Sequence, residues 1–216
     1  MSVHVVVPVK EPRNAKTRLA QVLSLEERAR LTATMLRDVC AALGEAARAG
    51  GIEAISILTG DAALVPSGLG HIADAGSGLN AALAQAAREL VRRGAAALLI
   101  VPADVPFVEA ADLRTLIGAA RAPALAIAPD RSARGTNALL ISPPQLITPQ
   151  FGPHSFAAHR AAGEAVGVPV QVMHCPGLEC DIDEPADLKR LMDSGREAYA
   201  FLRATRAAGL ARPRER

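Results

Sequence analysis

Asp104 stands between Pro102 and Pro106, directly after an apolar run at 96–101. A carboxylate at the carboxyl end of a buried strand, on a backbone stiffened by prolines, is placed to hold magnesium, a hard cation that takes oxygen ligands. The plainer reading is an aspartate that makes a local turn. Asp181-Ile182-Asp183 is the second acidic signal. In an extended backbone its two carboxylates point to one face, and like charges held close are costly unless a cation or basic group lies between them. The alternative is that Asp183 or Glu184 caps the helix begun by Pro185. Lys10 and Lys16 supply the complementary charge. Of 24 basic residues only Lys10, Lys16 and Lys189 are lysines, and two of the three fall just after the first apolar run. A compact ammonium suits phosphate in a way that arginine's planar fork does not copy. Together the acids and the early lysines read as one metal–phosphate site.

Two further segments, Arg134-Gly135-Thr136-Asn137 and Phe151-Gly152-Pro153-His154-Ser155-Phe156, combine glycine with hydroxyls, the ingredients for backbone N–H cradling of an anion. Ser155 also reads as a plain N-cap. Gly76-Ser77-Gly78-Leu79-Asn80-Ala81 matches the dinucleotide pattern G-x-G-x-x-A, but no long strand precedes it and the next acid of interest, Asp104, is 28 residues past Gly76. Lys16-Thr17 resembles the tail of a P-loop without the glycine-rich run before it. His4, His71, His159 and His174 show no metal or triad spacing and read as structural or surface residues. Cys40, Cys175 and Cys180 are too few and too odd in number for a disulfide framework and read as buried or half-buried thiols.

Positioning these groups requires alternating strands and helices. Strands are expected at 3–9, 54–59, 71–74, 96–101, 124–128, 136–142 and 168–174. The box Ser24-Leu25-Glu26-Glu27 opens a helix carrying Leu31, Met35, Val39 and Leu43, and further helices are expected at 79–92, 110–120, 155–166 and 185–192. The pattern predicts a single α/β domain over 1–195 with a mostly parallel central sheet flanked by helices, followed by a helix and basic tail over 196–216.

Composition narrows the functional classes. The net charge is +2 and only five residues are aromatic, which argues against a nucleic-acid or membrane-surface protein. The chain shows no apolar run of about 18 residues and no signal-peptide pattern, so a cytoplasmic protein is expected. The arginines of the tail, Arg203, Arg206, Arg212, Arg214 and Arg216, read as a solvated terminus.

The motifs resemble the 2-phospho-L-lactate guanylyltransferase family. P-V-K at 8–10, A-K-T-R-L at 15–19, P-A-D-x-P at 102–106 and P-D-R at 129–131 occur in order with G-T-N-A-L-L at 135–140, F-G-P-x-S-F at 151–156 and D-I-D-x-P-A-D-L at 181–188. The set spans nearly the whole chain. The resemblance implies a Rossmann-like nucleotidyltransferase fold similar to glycosyltransferase type A, and transfer of GMP from GTP to a phosphorylated three-carbon acid in coenzyme F-420 biosynthesis. It implies magnesium on Asp104, Asp181 and Asp183, and charge neutralisation by Lys10, Lys16 and Arg18. It places Thr136, Gly152 and Ser155 on the acceptor, with Gly76, Gly78 and Asn80 near the nucleotide. The acceptors it implies are 2-phospho-L-lactate, phosphoenolpyruvate and 3-phospho-D-glycerate, with a homodimer left open. His154 departs from the glycine often found there, which bears on acceptor choice. The rival readings are a molybdopterin cytidylyl- or guanylyltransferase, whose glycine-rich first loop is absent here, and a non-enzymatic nucleotide-binding module.

Overall fold

The structure is a computed structural model that describes residues 2–11 and 16–203. Residues 12–15 of the expected lysine-bearing loop, and 204–216 with Arg206, Arg212, Arg214 and Arg216, lie outside the described residues. The β-branched first run forms β1 (Val3–Pro8), followed by β2 (Ile52–Thr59), β3 (Gly70–Ala73), β4 (Ala97–Ile100), β5 (Ala124–Pro129), β6 (Thr136–Ser142) and β7 (Val170–Val172). The helices are α1 (Leu25–Arg48), α2 (Leu79–Arg92), α3 (Ala110–Gly118), α4 (Ser155–Ala165) and α5 (Pro185–Asp193). The strands make one sheet in the order β3-β2-β1-β4-β6-β5-β7.

Burial on both faces of the sheet explains the continuous apolar runs. Successive side chains of β1 alternate: Val5 and Val7 pack with Val39 and Leu43 of α1 and with Leu113 and Leu116 of α3. Val6 faces the other way, into Leu83, Ala86 and Leu90 of α2. The expected capping box starts α1, with the Ser24 hydroxyl accepting from Glu27 N–H and the Glu27 carboxylate accepting from Ser24 N–H. On the α2 side, α4 lies very close to the sheet. A methyl group at Gly163 would stand 2.5 Å from Val170 Cγ2 and 2.8 Å from Leu125 Cδ2.

Four strand pairings are parallel, and the two made by β6, with β4 and β5, are antiparallel. Only residues 130–135 join β5 to β6, too few for a crossover helix, so the pair closes as a hairpin. This reversal brings the first residues of β6 to the edge where β1 and β4 end.

A third apolar cluster carries Leu19, Leu31, Met35, Ile182, Leu191, Tyr199 and Leu202. It holds the turn Thr17–Leu19 and the segment around Ile182 against α1. Tyr199 and Leu202 bring the 196–203 stretch against it, where Tyr199 Oη donates to Asp38 Oδ2 at 2.7 Å and Arg196 Nη1 donates to Pro106 O at 2.6 Å. Cys40 is half-buried, and Cys175 and Cys180 are buried, all as free thiols. Burial pushes the Cys40 and Cys175 thiols up to about 11, which leaves them unreactive near neutrality. Among the described residues no helix is long and apolar enough to cross a membrane.

Candidate active site

The sheet edge at the ends of β1 and β4 and the start of β6 opens into a cleft of about 910 Å³. Lys10, Lys16, Arg18, Asp104, Asp181 and Asp183 line one part of it. Thr136, Gly152, His154 and Ser155 line another, and Gly76 and Gly78 lie at the rim before α2. Segments far apart in the chain therefore meet, as the motifs lead one to expect.

In the charged half Lys16 is central. Its Nζ donates to Asp104 Oδ2 and to Asp183 Oδ1, each at 2.7 Å, with the lysine side chain only 8% exposed. Burial alone would depress the Lys16 pKa, but the two carboxylates outweigh it and hold it above the ordinary value. Burial would likewise raise Asp183, yet the Lys16 charge holds that carboxyl below the usual range. Asp181 behaves oppositely. Burial, reinforced by the charge of Asp104, pushes its carboxyl up, and the amide of Asn137 only partly offsets this. Asn137 Nδ2 donates to Asp181 Oδ1 at 3.2 Å and to Leu178 O at 2.7 Å, while Ile182 N–H donates to Asp104 O at 3.0 Å. The two acidic loops are thus tied to each other and to β6. In the sequence Asn137 is visible only as part of the Arg134–Asn137 segment; its role depends on the hairpin reversal. Lys10 and Arg18 are exposed at the rim, and Arg18 lies 3.7 Å from Glu184.

The other half is lined by hydroxyls. Thr136 and Ser155 are 5% and 2% exposed, both against the cleft. Two backbone N–H groups expected to cradle an anion are already engaged, Ser155 N–H by Gly152 O and Phe156 N–H by Arg134 O, each at 3.1 Å. The side-chain donors that line this part of the cleft are those of Thr136, Ser155 and Arg134. Gly152 has φ 133°, a conformation that favours glycine, and His154, exposed, sits in the left-handed region at φ 62°. Asn80 does not line the cleft. Its Oδ1 accepts from Phe151 N–H at 2.7 Å and its Nδ2 donates to Phe151 O at 2.9 Å, so its amide is committed to fixing the acceptor-side loop on α2. His159, expected as a structural or surface residue, is fully buried behind Thr136 and bonded to it.

The donor chemistry suits a magnesium ion shared with phosphates. The carboxylates offer oxygen only, and burial, with the charge of Asp104 nearby, disfavours the charged form of Asp181, which a cation would relieve. Among the described residues no group of three or more ligating side chains is gathered tightly enough to hold a metal by itself. Magnesium commonly takes one or two carboxylates and completes its shell with substrate phosphates and water, and the residues present fit that arrangement.

The family described as "Guanylyl transferase CofC like" matches residues 3–209. A protein of Rubrobacter xylanophilus named phosphoenolpyruvate guanylyltransferase is 43% identical over 209 residues, covering 94% of this chain and 100% of that protein. Among solved structures, a candidate nucleotide-diphospho-sugar transferase from Desulfovibrio desulfuricans G20 superposes with a TM-score of 0.76 at 18% identity, covering 96% of each chain. A nucleotidyl transferase from Methanothermobacter gives a TM-score of 0.65 at 18% identity, covering 89% of this chain and 96% of that one. Those two likenesses establish the fold alone. The family match and the curated relative go further: the chain belongs to the CofC-like guanylyl transferase family and is a nucleotidyltransferase.

Proposed function

We propose that the enzyme transfers GMP from GTP to the phosphate of a small three-carbon acid, phosphoenolpyruvate foremost, with 2-phospho-L-lactate and 3-phospho-D-glycerate as competing candidates. The product would serve coenzyme F-420 biosynthesis. The observation that carries this reading is a single cleft lined by Lys10, Lys16 and the carboxylates of Asp104, Asp181 and Asp183, suited to a triphosphate with its cation, and also by the buried hydroxyl residues Thr136 and Ser155 with Arg134 near them, suited to a second anion. The curated relative's name supports phosphoenolpyruvate as that second anion.

In this reaction an oxygen of the acceptor phosphate forms a bond to the α-phosphorus of GTP, the bond from that phosphorus to the β-phosphate oxygen breaks, and pyrophosphate leaves. No general base is needed, because a phosphomonoester is mostly dianionic near pH 7. The work left to the protein is alignment and charge neutralisation. Lys16 moves from Asp104 and Asp183 to the triphosphate, with Lys10 and Arg18 adding charge at the rim. Gly76 and Gly78 let the backbone before α2 approach the nucleotide. Thr136, Gly152 and Ser155 hold the acceptor, and His154 borders it. Magnesium, held by Asp104 with Asp181 and Asp183, would neutralise phosphate charge that the lysines leave.

The test is a competition of all three acids with GTP in one reaction, products identified by mass. Guanosine joined through a diphosphate bridge to the enolpyruvyl group, one phosphate from GTP and one from phosphoenolpyruvate, is the expected main product. Pyrophosphate release with CTP but not GTP, or release with none of the three acids, would overturn the assignment.

A further inference from the structure

Behind the acceptor half, one buried imidazole is bonded at both nitrogens. Gln150 N–H points at His159 Nε2 at 2.8 Å, so that nitrogen accepts. A neutral imidazole with an accepting Nε2 carries its hydrogen on Nδ1. Nδ1 lies 2.9 Å from Thr136 Oγ1, which must therefore accept. The hydroxyl's own hydrogen is then left over, and among the described residues none takes it. Thr136 lines the cleft, which leaves that hydrogen available to an anion bound there. The ring cannot easily turn over to reverse these roles. It is 0% exposed, and Phe151 packs edge-on against it with centroids 5.1 Å apart. Phe151 is in turn fixed at both backbone polar groups by Asn80.

We propose that His159 is a positioning residue of the acceptor site: its Nδ1–H, locked by Gln150 N–H on the opposite nitrogen, orients the Thr136 hydroxyl as a donor to the bound acid. This rests on Thr136 holding the acceptor. Burial pushes the imidazole pKa down to about 4, so the neutral ring that the arrangement needs persists throughout the neutral range. The 152–155 turn follows Gln150 in the same loop and takes its register from the same ring, because Gln150 N–H is anchored on His159 Nε2.

Kinetics of four variants test this. Thr136→Val removes the donor and should raise the acceptor KM about tenfold, the scale of one lost hydrogen bond, with the GTP KM within about twofold. His159→Gln keeps an acceptor for Gln150 N–H but leaves Thr136 without its Nδ1 partner. It should raise the acceptor KM by a similar factor and leave kcat within about threefold. His159→Asn, whose amide can stand in for Nδ1–H, should keep the acceptor KM within about threefold of wild type. Adding His159→Gln to Thr136→Val should bring no further rise, since the first acts through the second. Independent of any variant, nitrogen NMR of the wild-type chain should report His159 protonated on Nδ1 and bare on Nε2. If Thr136→Val raises the acceptor KM while His159→Gln does not, or if the two effects simply multiply, the positioning role is wrong. A wild-type ring protonated on Nε2 would sink it equally, even were the glutamine variant not to fold. An unchanged acceptor KM in Thr136→Val would remove the acceptor assignment itself, and this inference with it.

Discussion

On one side of the cleft Lys16 carries a full charge between Asp104 and Asp183, 2.7 Å from each. On the other, Thr136 and His159 hold one another at 2.9 Å with no formal charge between them. In the proposed reaction both sides meet phosphate, and the contrast is between two ways of preparing for it. The charged half keeps its cation satisfied internally until a stronger anion competes, which limits the desolvation penalty of a lone buried charge. On the acceptor side the Thr136 hydroxyl, oriented by His159, would discriminate by direction more than by charge.

Asp104→Ala should break the charged half most severely. Turnover is expected to fall about 10³-fold with the circular dichroism spectrum unchanged, the scale of losing a principal electrostatic group. An Asp104→Ala enzyme with wild-type turnover would show that the metal and phosphate chemistry lies elsewhere.

The neutral half has its own liability, in stability. His159 titrates near 4 when folded against 6.5 when exposed. Between those values the unfolded chain binds the extra proton. The contribution of His159 is therefore complete above about pH 6.5 and is lost as pH falls toward 4, about 3 kcal/mol in all. Urea melts across that window should show this slope in wild type and lack it in His159→Asn; parallel curves would contradict the buried neutral ring.

Lys16→Arg sharpens the comparison on the charged side. The planar guanidinium cannot take the place of a compact ammonium between two carboxylates, and a roughly 100-fold loss in kcat/KM for GTP is expected, with the acceptor KM little changed. Equal activity of Lys and Arg at this position would mean that only net charge matters. Arg134 tests the border between halves. It lines the cleft, and its Nε donates to Ser132 Oγ at 3.2 Å. If the acceptor half works through neutral donors, Arg134→Gln should change the acceptor KM by no more than about threefold; a rise of about 30-fold would place a needed cation there. His154→Gly is the mildest case. It removes a left-handed non-glycine conformation, partly offset by glycine's greater freedom when unfolded, for a gain of about 0.5 kcal/mol. It should alter the ratio of kcat/KM among the three acids by about threefold without changing the KM for GTP, read from the same competition assay.

Much of this architecture is legible in the chain itself. Continuous β-branched runs announce strands covered on both faces, and Ser24–Glu27 announces a helix start, because burial and capping act over a few residues. The reversal of β6 is less visible: Thr136–Ser142 reads as a strand, but its direction follows from the shortness of the 130–135 connection. Asp104, Lys16 and the Asp181–Asp183 pair stand out by residue type and neighbours. That Lys16 sits between Asp104 and Asp183 does not, since such pairing across 88 and 167 residues is a product of packing. Asn80 is the converse case. The family resemblance puts it near the nucleotide, and the structure shows its side-chain amide closed on Phe151. His159 carries no spacing signal at all, and only burial behind a hydroxyl reveals its relation to Thr136.

The junction of Lys16 with Asp183 also sets an order in time. One partner is made near the start of synthesis and the other 167 residues later, an interval of about 10–30 s at ordinary translation rates. Throughout that interval the nascent chain has its early lysines but lacks Asp181, Asp183 and the Ile182 N–H that braces Asp104. A polypeptide stalled or clipped before that point lacks two of the three carboxylates of the charged half, and Lys16 is left with Asp104 alone.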